Sequence, residues 1–136
     1  MGLRFSVFTD NHVQTSVTQG LRRRGWDVVR AIDEFPEKTE DEVLFEHAAK
    51  ERRVLVTNDR GIHGLGVAWL EAGRSFAGLV FWPQEDYAAM TTGDIIQAFE
   101  ALAAQERPFA YPIQTIRPPD RSPMRERFKR SRKAAR

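Results

Sequence analysis

The chain alternates short apolar runs with stretches of helical periodicity, and this alternation limits what it can fold into more than any other feature. Residues 3–9, 26–30, 54–57 and 79–82 have the length and composition of buried strands. Residues 113–116, bracketed by Pro112 and Pro118, read as a fifth strand at a sheet edge. Val13, Val17 and Leu21 recur four apart, as on one helix face, before Arg22-Arg23-Arg24 and Gly25 stop the pattern. Thr39 and Glu42 have capping-box spacing ahead of a helix expected to turn Val43, Leu44, His47 and Ala48 inward. Gly61, Gly64 and Gly66 read as a loop leading to a short helix over residues 67–72. Thr92 is expected to cap a last helix carrying Ile95, Ile96, Phe99 and Leu102. Strands alternating with helices predict an α/β domain, with a parallel sheet of four or five strands between helices and right-handed crossovers.

Charge divides the chain at Ile116. Residues 117–136 hold nine Arg or Lys against two acids, a net +7; with +2 overall, residues 1–116 carry −5. The expected organisation is one domain over 1–116 and a basic tail over 117–136. A chain of this size buries about two-thirds of its unfolded surface and needs no staples. It has no cysteine, which excludes disulfides, thiol nucleophiles and Cys-based zinc sites. No apolar run reaches the roughly 20 residues of a membrane span. Asp10 and Asn11 come too early for a secretory signal, so a cytoplasmic protein is expected.

Ligands of open parallel sheets bind at the carboxyl ends of the strands. Asp10 closes the first run, Asp59 follows the third, and Asp41 falls in the first turn of the helix after the second. Three carboxylates at one rim suit Mg²⁺ or Mn²⁺, hard cations that keep waters and bind substrate phosphate. Attack of ion-activated water on a phosphodiester is the matching reaction class. Each acid also has a structural reading: Asp10 as a helix cap, Asp41 as a complement to a helix dipole, Asp59 as a turn residue.

Taken in order, Phe8-Thr9-Asp10-Asn11, Gly25-Trp26-Asp27-Val28-Val29, Glu40-Asp41-Glu42-Val43-Leu44 and Val54-Leu55-Val56-Thr57-Asn58-Asp59-Arg60 resemble the PIN-like proteins of the DUF5615 (Mut7-C-related) type over roughly residues 3–82. The resemblance implies a PIN-like fold, metal-dependent ribonuclease activity, and a place as the toxin of a toxin–antitoxin pair. It puts Asp10, Asp41 and Asp59 at the acidic-site positions, as catalytic residues and metal ligands. Asn11, Glu40, Glu42 and Asn58 are second choices around them. Asn11 stands where that family often has Glu, and Gly61 where it often has a second Asp. These departures motivate the alternative of a catalytically silent PIN-like module that binds nucleic acid or a partner protein.

Other constellations carry less. His12, His47 and His63 lack zinc spacing, and no downstream Gly-Asn-His supports a metallophosphoesterase reading of Asp10-Asn11-His12. Lys is absent from Glu51 to Phe128, which removes the phosphate-binding lysine of a P-loop and the late-strand lysine of a receiver domain. Within the tail, Arg125, Arg127, Lys129, Arg130, Arg132 and Lys133 are expected to hold RNA backbone by neutralising phosphates, or to engage an antitoxin. The oligomeric state is left open, a dimer being compatible.

Overall fold

In the computed structural model, which describes residues 4–120, the apolar runs become strands β1 (Val7–Thr9), β2 (Val28–Arg30), β3 (Val54–Thr57), β4 (Leu79–Phe81) and β5 (Ile113–Thr115). Between them lie helices α1 (Thr15–Arg23), α2 (Ala31–Glu34), α3 (Asp41–Lys50), α4 (Arg60–Glu71), α5 (Gln84–Tyr87) and α6 (Thr92–Ala104). Helices α2 and α5 span four residues each, barely one turn, too short to leave a periodicity in sequence. The strands pair in parallel in the order β2-β1-β3-β4-β5, with β5 at an edge as its flanking prolines predict.

Side chains alternate across each strand, so the sheet builds a core on both faces. Val7, Val54, Val56 and Val80 pack under α1 and α6 with Val17, Leu21, Ile95 and Phe99. Phe8, Leu55 and Leu79 pack under α3 and α4 with Leu44, Phe45, Ile62 and Trp69. Burying one such side chain stabilises the fold by roughly 1.5–3 kcal/mol, so these two layers hold the sheet.

The crossovers do not all share one hand. From β1 to β2 the chain moves one way across the sheet through α1; from β3 to β4 it moves the other way through α4, on the opposite face. Reversing both direction and face preserves the hand. From β4 to β5 the chain again moves in the β3-to-β4 direction, yet α6 lies on the α1 face. This crossover therefore has the opposite hand, which corrects the uniform handedness expected from the sequence. The long 82–112 connection frees it from the usual constraint. Its apolar stripe covers a sheet face that α1 alone would leave open.

Three local expectations also change. Glu40, not Thr39, is the N-cap residue of α3; it makes no side-chain cap bond, and Thr39 Oγ1 instead donates to Pro36 O at 2.6 Å. In α3 the buried stripe is Leu44, Phe45 and Ala48, while Val43 is 45% exposed. Thr91 rather than Thr92 caps α6, in a capping box with Asp94.

Helix α4 begins immediately after Asp59 and runs through all three glycines that read as a loop. Gly66 is small for a packing reason: a Cβ there would stand 2.7 Å from Leu79 Cδ2, so the helix lies close on the sheet. Gly25 ends α1 as expected, with φ +88°, a conformation that costs glycine little.

Helix α1, which follows β1, and helix α4, which follows β3, lie on opposite faces of the sheet, which opens a crevice at the carboxyl ends of β1 and β3.

Candidate active site at the carboxyl edge of the sheet

Asp10, the residue after β1, is tied to the neighbouring strand by its backbone N–H, which donates to Val56 O at 3.1 Å. Its side chain is 4% exposed. Both carboxylate oxygens are engaged internally: Thr57 Oγ1 donates to Oδ2, and the His12 backbone N–H donates to Oδ1 at 2.9 Å. Burial pushes its pKa up, and these hydrogen bonds oppose the rise. Neither Asp10 nor Asn11 caps α1, whose N-cap residue is Gln14. Asp10 holds the turn that leaves β1.

Asp59 is the N-cap of α4, accepting from Gly61 N–H at 2.7 Å through Oδ1. Its own N–H donates to Thr57 Oγ1 at 3.0 Å. One buried threonine hydroxyl thus joins Asp10 and Asp59.

Asp41 sits in the first turn of α3. Burial raises its pKa, and the charges of Asp59 and Glu42 raise it further. Asp41 and Asp59 meet at Gly61. A Cβ on that glycine would lie 3.1 Å from Asp59 Oδ1 and 3.7 Å from Asp41 Oδ2. The missing side chain therefore leaves a cradle between two carboxylates. Glu40, Asp41 and Glu42 form one wall of an open cleft of about 590 Å³, and Gly61, Gly64, Leu65 and Ala68 line the rest.

The second-choice residues divide. Glu40 and Glu42 share the cleft wall with Asp41. Asn11 Nδ2 donates to Glu37 O at 3.3 Å, which ties down the loop before α3. Asn58 is 2% exposed; its Nδ2 donates to His12 O at 3.0 Å, and its Oδ1 has no hydrogen-bond partner. Among the described residues, no three His, Asp or Glu side chains stand together as a ready-made metal set.

His12 belongs to the site although zinc spacing passed over it. Its Nε2 lies 3.7 Å from Asp59 Oδ2, its side chain is 57% exposed, and its charge lowers the pKa of Asp10 and Asp41. The signal was its position two residues beyond Asp10. His47 packs against Phe35 and Phe8 as a boundary residue, as its helix position suggested. His63 lies in α4 over Phe81, not in a loop.

The tail positions Arg125, Arg127, Lys129, Arg130, Arg132 and Lys133 lie outside the described residues. The chain approaches them from the carboxyl edge of the sheet. Ile116 N–H donates to Phe81 O at 2.8 Å, and Arg117 Nη1 lies 3.9 Å from Asp86 on α5.

A family model described as PIN like domain matches residues 5–82, a segment running from before β1 to just past β4 and containing Asp10, Asp41 and Asp59. The chain belongs to the PIN-like family. The remaining elements of this PIN-like domain, α5, α6 and β5, complete the sheet and its second helical layer beyond the matched segment. No curated protein and no solved structure matches the chain. No helix among the described residues is long and apolar enough to cross a membrane.

Proposed function

We propose that this PIN-like domain is a Mg²⁺- or Mn²⁺-dependent ribonuclease of the DUF5615 type, acting as the toxin of a toxin–antitoxin pair. The cradle at Gly61, flanked by Asp41 and Asp59 at the switch point of the sheet, carries this reading. Mg²⁺ keeps several waters and takes one or two carboxylates plus substrate phosphate, so it does not require a complete protein cage. Asp41 and Asp59 are the residues that would hold it. The Asp41 pKa is raised by burial and then by the negative charge of Asp59, and a cation would relieve that second effect.

When bound, the ion supplies a lowered water pKa and charge stabilisation at phosphate. The protein's own groups do the rest. Asp10 and Thr57 hold the strand ends in register, and Asp59 presents one oxygen to the cradle while its backbone is pinned to Thr57. The +7 segment, leaving on the same edge, would hold RNA backbone outside the acidic crevice.

Assaying wild type and Asp59→Asn on single-stranded RNA with Mn²⁺ tests this. Asn remains a good N-cap, so α4 is retained while a charged ligand is lost. We expect cleavage by the wild type and a loss of at least about a hundredfold in the variant. Equal rates would rule the mechanism out.

A second reading has its own observation. Both oxygens of Asp10 are already hydrogen-bonded within the protein, as suits a silent module that binds nucleic acid or a partner such as an antitoxin. Titrating Mn²⁺ calorimetrically separates the two, because tight binding abolished by Asp41→Ala counts against a silent site.

A further inference from the structure

At the acidic rim, the backbone and the side chain of His12 have separate roles. Its backbone N–H donates to Asp10 Oδ1 at 2.9 Å, and its carbonyl accepts from Asn58 Nδ2 at 3.0 Å. The turn after β1 is therefore held without the imidazole, whose side chain is more than half exposed. Its Nε2 lies 3.7 Å from Asp59 Oδ2, too long for an N–H···O hydrogen bond, which spans roughly 2.7–3.2 Å. Asp59 gives its Oδ1 to the Gly61 N–H, so Oδ2 is the oxygen that meets His12. His12 also acts electrostatically on Asp41, the acid across Gly61.

We propose that His12 Nε2 and Asp59 Oδ2 are joint ligands of one divalent ion, and that this nitrogen donor makes the site favour first-row transition ions over Mg²⁺. Asp41 and waters would complete the shell. Two donors each about 2.1 Å from one ion stand about 3 Å apart at a right angle and at most about 4.2 Å apart. The 3.7 Å gap falls inside that span, so one ion can touch both atoms where they stand. Mg²⁺ takes oxygen ligands and dehydrates reluctantly. Nitrogen-bearing sites instead hold first-row ions, with an affinity that rises from Mn²⁺ to Co²⁺. The inference rests on the metal-dependent reading above, which it extends from the presence of an ion to the class of ion.

The test is calorimetric titration of the full chain and of His12→Ala with Mg²⁺, Mn²⁺ and Co²⁺. The variant should lose at least about tenfold in affinity for Co²⁺, less for Mn²⁺, and under about twofold for Mg²⁺. An equal change for all three ions overturns the proposal. Loss of a merely repelling imidazolium would give a uniform rise, and a disturbed turn a uniform fall. Electron spin-echo spectroscopy of the Mn²⁺-loaded wild type repeats the test without an affinity measurement. It should show a coordinated nitrogen that is gone in His12→Ala, and its absence from the wild type overturns the proposal. Asp41→Ala separates this claim from the reading beneath it. Binding lost in Asp41→Ala but untouched in His12→Ala defeats the His12 ligand alone, whereas a wild type that binds none of the ions defeats both.

Discussion

Asp41 and Asp59, 18 positions apart in sequence, bring one oxygen each against the same bare face of Gly61. Asp59 arrives there because it caps α4 through the Gly61 N–H, and Asp41 because α3 begins beside it. The glycine that looked in sequence like a missing acid is the space between two others.

Filling that space separates chemistry from stability. In Gly61→Ala the new methyl stands 3.1 Å from Asp59 Oδ1, tight enough to displace the carboxylate. Alanine is a better helix residue than glycine by up to about 1 kcal/mol. We expect Mn²⁺ affinity to fall about tenfold with Tm nearly unchanged, because the gain in helix propensity is offset by the disturbed Asp59 cap of α4. Calorimetry paired with thermal melts checks both; unaltered affinity would show that no ion uses the cradle.

Thr57→Val removes a hydroxyl, fully buried, that donates to Asp10 and accepts from the Asp59 N–H. The loss leaves Asp10 Oδ2 without its donor, at a cost of about 2 kcal/mol. Urea denaturation at pH 7 should show a lower midpoint at an unchanged m value. At a pH where Asp10 is protonated the cost should shrink, because the hydrogen bond favours the ionised form.

Asp10 and Asp41 both have raised pKa values, which fixes the sign of a pH effect. The folded state holds these protons at a pH where the unfolded chain, with Asp near 3.9, has lost them. Their contribution to stability is therefore present below the unfolded value and declines as pH rises through the folded values. Metal-free Tm should carry this decline, and Asp41→Asn should flatten it. Mn²⁺ should offset it at neutral pH, because the ion binds the ionised forms. A decline identical with and without Mn²⁺ would count against binding at these carboxylates.

Truncation after Ile116 tests the tail. Each phosphate neutralised on a single strand contributes about 0.7 to the slope of log affinity against log salt. Removing the +7 segment should lower both RNA affinity and that slope while Mn²⁺ affinity stays constant. An unchanged slope would leave the tail a solubilising appendage.

How much of this was legible in the sequence depends on the range of the interactions involved. Val17 and Leu21 marked the buried face of α1, and Pro112 and Pro118 an edge strand, because helix period and ladder hydrogen bonding act within a few residues. Val13, read as part of the same helix face, lies before the N-cap Gln14. The loop read into Gly61, Gly64 and Gly66 failed because Asp59 caps the helix and Gly66 is required against Leu79, a contact across 13 residues. The outward turn of Val43 and the inward turn of Phe45 depend on which way α3 faces the sheet.

By itself, the sequence determined the alternation of strands and helices, the acids that end up at one edge, and the separation of an acidic body from a basic tail. Each follows from local periodicity, from the rule that strand ends share a side, or from counting charge. Only the tertiary structure decided that α6 crosses back to the α1 face and that Asp10 turns inward to Thr57. It also decided that Asp41 and Asp59 share Gly61, and that Asn58 keeps an unpaired oxygen beside them. These outcomes depend on which surfaces must be covered and which buried polar groups find partners, and both are set by residues distant in the chain.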